Sequence, residues 1–154
     1  MPFEMILAPA GVTVTPSTAA ESQVPGGPIV VDPTLVDRKN DYLVNLNWST
    51  TGALFASWPA PPAEWTAEAI FEQMGLGEYG GGPHINSIAH VQSGAPTPYA
   101  LTITIPGTLS GGPSLPVGIY RVIVKLFFDP TGLGAAVSAC GFEDLGFVQF
   151  YDGY

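Results

Sequence analysis

The chain has 154 residues, enough for one domain that buries roughly 68–70% of its unfolded surface. Its formal net charge is −9 with only four Lys and Arg residues, too few to neutralise a run of phosphates, which excludes a nucleic-acid interface and attraction to an anionic membrane. A 46% hydrophobic share calls for a packed core, while 11% charge, against a usual ~25%, leaves a surface of Thr, Ser, Gly, Pro, Asn and apolar groups suited to meeting other protein.

The 19 glycines and 16 prolines are spread between apolar runs, so they read as frequent turns in an all-β chain. Residues 1–15 hold two short apolar runs, Phe3–Ala8 and Val12–Thr15, broken at Pro9-Ala10-Gly11. They form an apolar N-terminal arm, with Phe3, Met5, Ile6, Leu7, Val12 and Val14 as its contact residues. The arm carries Glu4 and no Lys or Arg, so it does not read as a secretory leader. Location stays open between the cytoplasm and an export route the sequence does not display. No run reaches the ~18–20 apolar residues of a membrane span. Residues 16–28, PSTAAESQVPGGP, read as a linker. An arm of this kind packs on its own domain or adds a strand to a neighbouring copy.

The body spans residues 29–154. Ile29–Val31 reads as a short strand stopped by Asp32-Pro33. Tyr42–Trp48 alternates, with Tyr42, Val44, Leu46 and Trp48 inward and Leu43, Asn45 and Asn47 outward. Residues 53–63 read as a Pro-rich loop carrying Phe55 and Trp58. Glu64–Met74 has helical composition but reads as a strand, because the flanking β segments otherwise lack a partner. Its Trp65, Ala67, Ala69 and Phe71 share one side, and Glu64, Glu68 and Glu72 line up together. Residues 75–83 are a loop, and His84–Val91 a strand of mixed faces. Tyr99–Ile105 places Tyr99, Leu101, Ile103 and Ile105 inward, with Thr102 and Thr104 outward. Residues 106–118 are a Gly/Pro loop.

Gly118–Asp129 is the clearest strand. Tyr120, Val122, Val124, Leu126 and Phe128 fall on one side, and Arg121 and Lys125 on the other with Ile119, Ile123 and Phe127. Pro130–Ala139 is a turn followed by small residues. Phe147–Tyr151 is the last strand, and Phe142 covers an end of the core. Segment 64–74 and the 118–129 strand are expected neighbours, with Arg121 and Lys125 facing Glu68 and Glu72 across strands.

About seven short strands suit a two-sheet antiparallel β-sandwich. Gly118-x-Tyr120, after a long loop, resembles the tyrosine corner of immunoglobulin-like domains, where the phenol bonds main chain near the preceding loop. The antibody Cys–Trp–Cys set is absent, so the resemblance is architectural and covers residues 28–152. Trp48, Gly52, Trp65, Glu72, Met74-Gly75 and Phe150-Tyr151-Asp152 are similar to small uncharacterised bacterial sandwiches, from which no activity transfers.

Chemical motifs are sparse. Gly75-x-Gly77-x-x-Gly80 matches a dinucleotide fingerprint, but Gly81-Gly82-Pro83 follows where a helix must open, and Glu78 repels phosphate. It reads as a hairpin loop. His84 and His90 lie about 20 Å apart if extended, too far to share a metal. Glu64, Glu68 and Glu72 are about 13 Å apart in turn, against Ca–O distances near 2.4 Å. Glu143, Asp144 and Asp152 are a weaker calcium set. The single Cys140 permits no internal disulfide and reads as a small buried residue. Asn47-Trp48-Ser49 is a glycosylation sequon, read as incidental.

Neither a cofactor nor a catalytic constellation is implied. The expected function is a non-enzymatic structural subunit that forms a homo-oligomer or filament by adding its arm to a neighbouring copy. The alternative is a module binding a glycan or another small ligand. Among the aromatics Trp48, Trp58, Trp65, Tyr79 and Tyr154, Trp48 and Trp65 belong to the core, so the ligand aromatics are Trp58 and Tyr79.

Overall fold

A computed structural model gives the fold and describes residues 3–5, 13–15, 20–22, 35–58, 60–75, 77–78, 83–131 and 139–153. The chain is all-β, with strands β1 (Phe3–Met5), β2 (Thr13–Thr15), β3 (Ala20–Ser22), β4 (Leu35–Asp37), β5 (Tyr42–Thr51), β6 (Glu64–Gln73), β7 (Gly77–Glu78), β8 (His84–Ala89), β9 (Thr97–Ile105), β10 (Gly118–Asp129) and β11 (Ala139–Tyr151). They form two sheets. In the large sheet β10 lies between β11 and β6. The other edge of β11 takes β1 antiparallel at Ala139–Gly141 and β4 parallel at Gln149–Tyr151. The far edge of β6 takes β7 and β8. In the small sheet β5 pairs β9 on one side, and β2 and β3 on the other.

The alternation read from the sequence sets the core. Tyr42, Val44, Leu46 and Trp48 of β5 meet Trp65, Ala67, Ala69 and Phe71 of β6 and the even-numbered residues 120–128 of β10, all buried in one cluster. The centre is aliphatic and small; the two ends are aromatic. At one end Tyr42, Phe71, Tyr120 and Phe150 meet edge to face, with Tyr42 and Phe150 centroids 5.5 Å apart. At the other, Trp48 stacks on Tyr99 at 5.3 Å and Trp65 lies 4.7 Å from Phe128.

Four local readings are corrected. Leu43 is on the outward side opposite Thr104, as expected, but is buried there rather than exposed. Residues 53–63 contain a five-residue helix, Ala53–Ser57, which carries Phe55 into the aromatic end. The 84–91 strand stops at Ala89, and His90 turns into the core. The last strand begins at Ala139 rather than Phe147. The strand read at 29–31 lies outside the described residues.

Loops at the Tyr42 end are tied to one another. The Asp41 carboxylate accepts from the Gly107 N–H at 2.8 Å and from the Ser110 hydroxyl. Asp37 accepts from the Lys39 and Gly153 N–H groups, and Arg38 pairs with Asp152 at 3.3 Å.

Candidate interaction face

His90 and Tyr99 form a hydrogen-bonded set inside the core. His90 is buried, and the Phe55 carbonyl 2.8 Å away can only accept, so Nε2 carries the hydrogen. Its Nδ1 takes the Tyr99 hydroxyl at 3.1 Å, and that oxygen accepts from the Val91 N–H. The set ties the loop after β8 to the 53–57 helix. His84 is half-buried at the start of β8 with its ring edge-on to Phe71 at 5.7 Å, and burial lowers its pKa.

The outer face of the large sheet is different in kind. It presents alternate residues of four adjacent strands: Glu64, Thr66, Glu68, Ile70 and Glu72 of β6; Ile119, Arg121, Ile123, Lys125 and Phe127 of β10; Phe142, Asp144, Phe147 and Tyr151 of β11; and Ile85 of β8. Ile85 is 56% exposed, Phe142 53%, Phe147 54% and Ile119 48%. Phe142 therefore does not cover the core, because the β11 alternation turns it outward. Large apolar groups exposed together on one sheet face are the kind of surface that meets other protein.

The charges on this face stand in register. Arg121 is opposite Glu72, and Lys125 opposite Glu68. Arg121 has a stronger partner that the sequence did not disclose. Asp144 accepts from its Nε at 3.0 Å and Nη2 at 2.8 Å, whereas Glu72 is 3.8 Å away. Asp144 reaches Arg121 because β11 bulges: Val122 pairs Gly146 while Ile123 pairs Asp144, which leaves Leu145 extra. Gly146 sits at φ +87°, and its N–H donates to the other Asp144 oxygen at 2.9 Å. These bonds hold the Asp144 carboxyl below its ordinary range and raise the Arg121 guanidinium.

Among the arm residues, Phe3 and Met5 lie in β1 and Val14 in β2. β1 is held by register pairs Phe3–Gly141, Glu4–Cys140 and Met5–Ala139, and β2 by three pairs to Ser49–Thr51. The arm thus contributes edge strands to both sheets, and the segment read as linker contributes β3 to the small one. Ile6, Leu7, Val12, Tyr79 and Tyr154 lie outside the described residues, as does the side chain of Cys140. Trp58 is half-buried, 4.8 Å from Phe128 and 5.8 Å from Phe55, so part of its ring surface is spent on the core. Gly75 and Gly77 shape the turn from β6 into β7, where Gln73 pairs Gly77. Of the acidic candidates, Asp144 and Asp152 are in ion pairs, and among the described residues no three His, Cys, Asp or Glu side chains converge as a metal site would need. No protein-family model, curated protein or solved structure matches the chain.

Proposed function

We propose that the chain is an immunoglobulin-like β-sandwich that acts as a non-enzymatic assembly subunit, exchanging its N-terminal strands with a neighbouring copy. The sandwich reading is supported by the strand pairing: β4 runs parallel to the last strand, β5 pairs β9, and β10 sits between β6 and β11. The Tyr120 hydroxyl also donates to the Pro116 carbonyl at the mouth of β10.

The observation that carries the assembly reading is that the arm joins the sheets as separate edge strands. Among the described residues, β1 pairs β11 in the large sheet and β2 pairs β5 in the small one, each through three register pairs. Edge pairing of this kind can be made by the chain's own arm or by that of a second copy, which is the low-cost route to an exchanged oligomer. Glu4 and Cys140 are directly opposite, and paired antiparallel positions lie about 4.5–5.5 Å apart at Cα, within disulfide reach. In a Glu4→Cys variant, oxidation then yields covalent dimers on a non-reducing gel. Deleting residues 1–20 reduces the species seen by size exclusion to monomer. Intrachain bridges alone, with one monomeric elution before and after the deletion, remove the proposal.

A further inference from the structure

We infer that the outer face of the large sheet is a two-fold interface for a second copy of this chain, with the axis along the seam between β10 and β6. The inference rests on the self-assembly reading above and assigns it a second contact, independent of the arm.

The strand register makes this face self-complementary about that axis. Across β11, β10, β6 and β8 the residues form straight rows: Phe142, Lys125, Glu68, Ile85 in one, Asp144, Ile123, Ile70 in the next, and Phe127 with Thr66 below. A two-fold axis laid along the seam sets each residue opposite the one equally far on the other side of it. Lys125 then faces Glu68 of the second copy, Ile123 faces its Ile70, Phe127 its Thr66, and the exposed Phe142 its exposed Ile85. Both equivalent contacts form at once, as an isologous interface requires. Cation meets carboxylate at Lys125 and Glu68, and apolar meets apolar at Ile123 with Ile70 and at Phe142 with Ile85; Phe127 meets the Thr66 side chain, and Asp144 stays on its own Arg121. The axis runs along the strands, so the two sheets stack in the aligned arrangement that sheet twist favours, with their strands within about 30°.

The area is that of a small interface. β11, β10 and β6 together span about 14 Å over the ten residue pairs joining β6 and β10, about 33 Å, and β8 adds about 5 Å over its six pairs, a patch of roughly 570 Å². That is just under the ~600–1,000 Å² per partner found in stable complexes, as suits a concentration-dependent dimer. Repulsion between two copies of net charge −9 acts at longer range and is damped beyond ~8 Å at physiological salt.

Charge reversal tests it by sedimentation velocity over a concentration series at about 0.15 M salt, with circular dichroism as the check on folding. The wild type dimerises. Lys125→Glu and Glu68→Lys each raise the dissociation constant at least about tenfold, because like charges then meet twice across the axis. Mixed one to one, the two variants form a heterodimer, since each reversed residue faces the other's complement. A lysine placed on the opposite sheet, Thr104→Lys in the Lys125→Glu background, gives no rescue. A wild type that stays monomeric, single reversals that dimerise normally, or a mixture that remains monomeric overturns the interface. Deletion of residues 1–20 separates the two contacts. A dimer that survives deletion but not reversal belongs to the face and ends the arm reading, and the converse result ends this one.

Discussion

The Tyr120 hydroxyl donates to the Pro116 carbonyl oxygen at 3.0 Å, while its ring is buried against Phe71 and Phe150. The phenol clasps the start of β10 to the loop before it. Tyr120→Phe keeps the ring and loses the clasp. We expect a loss of about 0.5–1.5 kcal/mol, seen as a lower urea midpoint at an unchanged slope. A neutral result would mean that the loop is held without it.

Gly107 admits no side chain. A Cβ there would lie 2.4 Å from the carbonyl carbon and oxygen of Asn40, which are backbone and cannot swing away. Gly107→Ala should cost about 1–3 kcal/mol or more, measured by chemical denaturation. Gly75→Ala meets no atom but sits at φ +85°, so its cost is conformational and of a different origin.

Acid should loosen the Tyr42 end. The Asp41 carboxyl is held below 3.8, first by the Ser110 hydroxyl and then by the Gly107 N–H. Its contribution is complete above the unfolded value and is lost as pH falls through the lower folded one. Urea midpoints should therefore decline below pH 3.8, and less steeply in Asp41→Asn. Asp144 shares the direction through Arg121, so its carbon resonance should titrate below 3.8 and move back upward in Arg121→Gln.

His84 acts in a milder range. Burial disfavours its charged form, so its folded pKa lies below 6.5. The unfolded chain takes up this proton first. Stability is unaffected above 6.5, falls as pH drops below it, and levels once the folded ring also protonates. Melting temperatures between about pH 7.5 and 5.5 should show that slope, and His84→Gln should flatten it. An unchanged slope would assign the effect to another group.

The segments legible in the sequence are those with one wet and one dry side. Tyr42–Trp48, Tyr99–Ile105 and Tyr120–Phe128 announce themselves by alternation, and their inward residues are all buried. Glu64–Gln73 was harder. Acids at every fourth position suit a helix face and a strand face alike, and only the need for a partner favoured the strand that is present. Its neighbour was legible for the same reason, down to the facing of Arg121 and Lys125 with Glu68 and Glu72. What escaped has no periodicity. Five residues from Ala53 to Ser57 are too few to show a helical repeat, and their placement depends on Phe55 finding the aromatic end. The first half of β11 hides behind small and charged residues, and the bulge at Leu145 breaks its alternation. That bulge supplies Asp144 to Arg121, so the strongest ion pair of the face was the one that spacing did not reveal.

Phe3–Met5 pairs with Ala139–Gly141, so the earliest strand of the chain waits for the latest. At 5–20 residues per second the ribosome needs about 7–30 s to traverse that interval. Throughout it the apolar opening stretch has no sheet of its own to join. A second copy whose own Phe3–Met5 has not yet docked offers the same border, so the exchange proposed above would compete with closure of the single chain during this interval.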